Sequence, residues 1–120
     1  MATQITDTGL ESGIADAIVT ALGASLKLKH YTSADSLLAT HTGGTATKNT
    51  ATSPDSVDIT GLADETNATA GTVGYSILTT SADVEVIRFT DPVNDIGLSN
   101  ATFSTGQTVT VTSLSVTVPA

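Results

Sequence analysis

Cysteine and tryptophan are missing from this chain, whose 120 residues include only two tyrosines and two phenylalanines. Without cysteine there can be no disulfide, zinc–thiolate site or thiol catalysis. With so few aromatics the core must come from small β-branched side chains, of which 24 threonines are the commonest. Such a core suits a thin sandwich better than a deep enzyme cleft. Positive charge is scarce too: four Lys and Arg against twelve Asp and Glu leave a net charge of −8. That surface repels phosphates, so nucleic acid is not expected as a partner. No run of about 18 apolar residues occurs, so no membrane span is expected. The opening MATQITDTG has no basic region ahead of an apolar block, so no secretory signal is expected either.

What is present is a β pattern. In TVGYSILTTSADVEVIRF, Val73, Tyr75 and Ile77 alternate with small residues. After a polar break the second half carries apolar side chains on both faces, as an inner strand does. This reads as a hairpin with Val73, Tyr75, Ile77, Val86, Ile87 and Phe89 in the core. SLKLKHYT reads as a strand with Leu26, Leu28 and His30 on one face and Lys27, Lys29 and Tyr31 on the other. Short strands are expected at 37–41, 57–60 and 98–103. Residues 42–56, rich in Thr, Gly and Ser, read as a long surface loop. In QTVTVTSLSVTVP, Val109 and Val111 are odd-numbered, whereas Leu114, Val116 and Val118 are even. One straight strand cannot face both sets inward, so a bulge near Thr112 or a change of sheet is required.

One helix is expected at 7–23, with Leu10, Ile14, Ala17, Ile18, Ala21 and Leu22 as its apolar stripe, Thr8 and Glu11 as a capping box, and Gly23 as its stop. The whole reads as one domain over 1–120, an N-terminal arm and helix at 1–23 followed by a β core at 24–120. The expected fold is mainly β, an antiparallel β-sandwich or flattened, jelly-roll-like barrel with one short helix.

Reactive constellations are not visible in the sequence. His30 and His41 are the chain's only imidazoles and read as two partly buried strand histidines, because a metal pair would need further ligands. Asp91, Asn94 and Asp95 share one short segment, and Asp58, Asp64 and Glu65 another. Neither matches an EF-hand spacing, and both read as solvated turns. No G-x-S-x-G elbow occurs, and the carboxylates lack the aromatic platform of a glycosidase. The sequons at Asn67 and Asn100 are chance matches in a Thr-rich chain. No catalytic residue, metal or cofactor is assigned.

Several stretches together carry a resemblance: the helix ending at Gly23, ASLKLKHYT at 24–32, SLLAT at 36–40, AGTVGYSILTT at 70–80 and STGQTVTVTSLSVTVP at 104–119. In pattern more than in identity, the chain resembles small Ala/Thr/Gly-rich structural proteins of tailed phages, some of which are capsid decoration (cement) proteins. The resemblance implies a non-enzymatic virion protein on the outer capsid surface, stapling neighbouring major capsid proteins and associating with copies of itself, a trimer being favoured. A tail or fibre-attachment component, or a carbohydrate-binding adhesion module, is the alternative. Partner contacts would then come from Ala2, Thr3, Gln4, Ile5, Thr6, Gly43, Gly44, Lys48, Thr117 and Val118, which the core does not need.

Overall fold

The computed structural model describes residues 8–51, 56–96, 98, 100–111 and 113–117. It is mainly β, with one short N-terminal helix and a curled antiparallel six-stranded sheet that forms a half-barrel. Helix α1 spans Thr8–Leu22. The strands are β1 (Leu26–Tyr31), β2 (Leu37–Asn49), β3 (Ser56–Thr60), β4 (Gly71–Thr72), β5 (Tyr75–Thr79), β6 (Glu85–Phe89), β7 (Thr102–Phe103) and β8 (Ser113–Thr117). A short helical turn, α2, occupies Pro92–Asp95. The large sheet runs β6-β5-β1-β2-β3-β8, and β4 pairs with β7 beside it.

Strand β2 decides the curl. Its first half pairs with β1 and its second half with β3, so one strand belongs to both walls. Leu26 lies opposite Gly44 but Leu28 lies opposite His41, which leaves an extra residue on β2 between them. This is a β-bulge, and it bends the strand. Gly43 supplies the left-handed backbone there (φ 75°). Gly44 is buried so tightly that a Cβ would lie 2.6 Å from a Leu26 methyl and 2.8 Å from one of Leu62.

The expected loop at 42–56 is therefore corrected, because the strand runs unbroken to Asn49. The bulge moves the inward phase from Ala39 and His41 to Gly44 and Ala46, and that slip hides the alternation.

The core is built from Leu26, Leu28, Val57, Ile59, Leu78, Val109, Val111 and Leu114, with α1 laid over it. The helix meets β2 and β3 on one side and β6 on the other. Its inward face is Ile14, Ala15, Ile18, Val19 and Leu22, whereas Ala17 and Ala21 are exposed. The expected stripe was thus rotated, because alanines on both faces carry no size signal. The side chains of Leu10, Thr8 and Glu11 lie outside the described residues.

Residues 107–117 do not run as one straight strand: Val109 bridges Glu65, and the β8 ladder with β3 begins only at Ser113. Thr112 lies outside the described residues. The Asp91–Asp95 segment, expected as a solvated turn, is one helical turn with Pro92 at its first position.

Candidate functional site

Strand β1 separates the molecule into two chemistries. Leu26, Leu28 and His30 face inward and are buried, while Lys27, Lys29 and Tyr31 face outward and are half-buried.

On the inner side, His30 and His41 are both fully buried and joined, Nε2 to Nε2, at 2.9 Å. They are not the partly buried pair expected from the sequence. His41 Nδ1 lies 2.9 Å from the Ala63 carbonyl oxygen, and His30 Nδ1 lies 2.7 Å from Ser76 Oγ. A carbonyl only accepts, so His41 must carry its proton on Nδ1. Its Nε2 is then an acceptor, which places the proton of the central bond on His30 Nε2. His30 Nδ1 is left as an acceptor, and the Ser76 hydroxyl donates to it. One carbonyl thus fixes the direction of three hydrogen bonds in a row.

Burial, with the neighbouring His41 adding to it, drives the His30 pKa down to about 3. Burial also lowers that of His41, against opposing pulls from the Ala63 bond and from Glu65 and Asp64. Both rings are neutral at pH 7. The Ser76 hydroxyl is sealed from solvent, with His30 Nδ1 as its partner.

Three of the carboxylates expected in turns, Glu65, Asp58 and Asp95, are similarly engaged. Glu65 accepts the backbone N–H of Thr40 and of Asn67, which ties the segment after β3 to β2. Asp58 accepts from Asn49 and Ser115. A shallow cleft of about 340 Å³ lies beside that trio, lined also by Ile59, Thr60 and Leu114. Asp95 accepts from the backbone of Asp91. Among the described residues no three His, Asp or Glu side chains are grouped to hold a metal ion. None of the described helices is long and apolar enough to cross a membrane.

The outer side of β1, β5 and β6 is different. Tyr31 and Tyr75 face each other across the β1–β5 ladder and stack, centroids 5.2 Å apart and 9° from parallel. The Arg88 guanidinium lies 4.3 Å from the Tyr75 ring centre and bonds Glu85 at 2.8 Å. The Tyr75 hydroxyl donates to Asp35 at 2.6 Å, a bond that raises its pKa. Lys29 and Lys27 both reach Asp83, at 2.8 and 3.0 Å, and hold its carboxyl below the usual range. Opposite Tyr31 on β2 stands Leu37, 46% exposed. A row Arg88–Tyr75–Tyr31–Leu37 therefore crosses four strands.

Tyr75, expected in the core, belongs to this outer row. In β5 it is Ser76 and Leu78 that turn inward, because Ser76 completes the histidine chain. Ile77 is on the outer side, opposite Lys29 and Arg88, and is nonetheless buried. Val86 and Ile87 are only partly buried, whereas Val73 and Phe89 are core.

Of the residues singled out for partner contacts, Ala2, Thr3, Gln4, Ile5, Thr6 and Val118 lie outside the described residues. Gly43 and Gly44 form the bulge, and Gly44 is shut away from any partner. Lys48 bonds Asp16 of α1 at 3.0 Å. Thr117 pairs with Ser56 at the far end of the sheet. The outer row was missed because Tyr75 was assigned to the core; the outward phase of Lys27, Lys29 and Tyr31 was its one signal.

Comparisons with protein-family models, curated proteins and solved structures found no match.

Proposed function

We propose that this chain is a non-enzymatic structural protein of a tailed-phage virion. It docks on the outer capsid surface through the outer face of β1, β5 and β6 and staples neighbouring major capsid proteins. The observation that carries the docking face is its content. It gathers both tyrosines and three of the four basic side chains of a chain with net charge −8. Lys27, Lys29 and Arg88 are matched there by Asp83, Glu85 and Asp35, so this patch is neutral where the rest is acidic. Tyrosine and arginine are the side chains that most often dominate binding energy, and a locally neutral patch lets an acidic molecule approach a partner without repulsion. The resemblance to phage decoration proteins supplies the partner, and the sealed histidines and engaged carboxylates suit a role without chemistry. The tyrosines are poorly placed as a sugar platform, because Tyr75 has Tyr31 and Arg88 against its ring.

The test is co-sedimentation with shells assembled from the major capsid protein of the same genome. Wild-type protein should bind saturably at a fixed ratio per shell subunit. Tyr31→Ala and Arg88→Ala, shown to be folded, should bind at least about tenfold more weakly, and Lys48→Ala should bind normally. Wild-type protein that stays in the supernatant, or a folded Tyr31→Ala protein that binds as well as wild type, would sink the proposal.

A further inference from the structure

The histidine chain and the docking face share the same two strands. On β1, His30 points inward between Lys29 and Tyr31; on β5, Ser76 points inward between Tyr75 and Ile77. His30 lies opposite Ser76 in the ladder, and Tyr31 opposite Tyr75 one step further on. The bond that joins the strands on the inside thus backs the stack that joins them on the outside.

The chain Ser76–His30–His41–Ala63 takes up an extra proton only at a cost. Every nitrogen is already committed: His30 Nε2 donates to His41 Nε2, and His30 Nδ1 accepts from Ser76. A proton on His41 Nε2 sets two N–H groups against each other across 2.9 Å. A proton on His30 Nδ1 faces a serine hydroxyl that must then turn and stop donating. Either event also places a charge in a site closed to solvent.

The surroundings offer that charge little. Leu28 and Ala39 flank the rings on β1 and β2, and Phe103 on β7 turns its ring edge-on to His30 at 5.8 Å. Lys27, Lys29 and Tyr31 point to the other side of β1. Asp64 and Glu65, on the segment that carries Ala63, are the charged groups acting on His41. Glu65 is already held by two backbone N–H groups.

We propose that this hydrogen-bond chain is an acid-operated release: protonation breaks the row Ser76–His30–His41, loosens β1 from β5 and from β2, and undoes the Tyr31–Tyr75 stack. The release regulates the docking face, and in that sense it rests on the function proposed above. Its structural half does not require a partner. The sign follows from the unfolded chain, where both imidazoles take up protons below about pH 6.5 while the folded chain refuses them. The interaction is therefore fully present above pH 6.5 and is lost as pH falls below it. With two sites, the folded-to-unfolded ratio falls by up to about 100-fold per pH unit. The chain has no third histidine to add to this slope.

The experiment is urea unfolding at pH 7, 6 and 5, followed by near-UV circular dichroism, where two tyrosines and no tryptophan make the stack the main reporter. The wild-type midpoint should drop steeply below pH 6.5, and His30→Leu/His41→Leu should hold a flat midpoint from pH 7 to 5. A flat wild-type midpoint, or equal slopes in the two proteins, overturns the proposal. Should the double variant fail to fold, imidazole nitrogen spectra of the wild type decide. Nδ1–H on His41 and Nε2–H on His30, unchanged down to pH 5 in the folded form, support it. A folded-state titration of either ring near pH 6.5 overturns it. None of these readings involves the shell, so failure here leaves the docking test standing, and the reverse.

Discussion

Gly74 and Ser33 meet backbone to backbone. A Cβ on Gly74 would lie 2.5 Å from the Ser33 nitrogen and 2.9 Å from its Cα, while the Gly74 N–H donates to Tyr31 at 2.7 Å. The turn after β1 is pinned in this way to the start of β5, and Asp35 in that turn is brought to Tyr75.

Gly74→Ala should accordingly lower stability by about 1–3 kcal/mol, the usual cost of forcing an atom into a packed site. Urea unfolding measures it. Because the obstacle is backbone rather than a flexible side-chain end, the turn must move and the Asp35–Tyr75 bond should be lost with it. An unchanged midpoint would mean the turn gives way freely.

Truncation should separate the two apolar residues paired across β5 and β6, Leu78 and Ile87. Leu78 is fully buried, and Leu78→Ala should cost about 2–5 kcal/mol. Ile87 is only partly buried against the core, so Ile87→Ala should cost less than Leu78→Ala. Equal losses would show that β6 is packed as deeply as β5.

Ser76→Ala removes the hydroxyl that donates to His30 and strands a buried acceptor, at a cost of about 1–3 kcal/mol at pH 7. The same change takes away a bond that favours the neutral ring, so the His30 pKa should rise from about 3. Nitrogen-detected titration of the variant reads the direction.

At the outer face, alkaline absorbance titration should show Tyr75 ionising above the ordinary tyrosine value of about 10. Removing the acceptor with Asp35→Ala should bring it down, since the Asp35 bond is the largest cause of the rise. A titration curve identical in both proteins would remove that bond from solution.

Strands β1 and β3 are legible in the sequence because large apolar and polar residues alternate there without a break. The far half of β2 is not, for two physical reasons: the bulge at Gly43 reverses the phase, and Gly, Thr and Ala have little bulk to mark a face. The helix is legible but its inward face is not, as Ala15 is indistinguishable in size from Ala17. In the candidate sites, the outward placement of Lys27, Lys29 and Tyr31 follows from the inward leucines of β1. Tyr75 misled because an aromatic residue alternating with Val73 and Ile77 resembles core, and only its ladder partner across 44 residues reveals otherwise. The histidine pair needed knowledge that His30 lies opposite Ala39, so that His41 sits one inward step away.

The divided loyalty of β2 also bears on the order of folding. β1, β2 and β3 follow one another along the chain and pair as a meander, so their closures are short and entropically cheap. The β1–β5 ladder joins residues 44 to 52 positions apart, a far larger closure. Such non-local pairings set the pace of β proteins. The meander is the natural early structure, carrying His41 close to His30 but leaving His30 Nδ1 without its serine. The slow step is the arrival of β5, which in one motion closes the large sheet, delivers Ser76 to the inside and lays Tyr75 on Tyr31 outside.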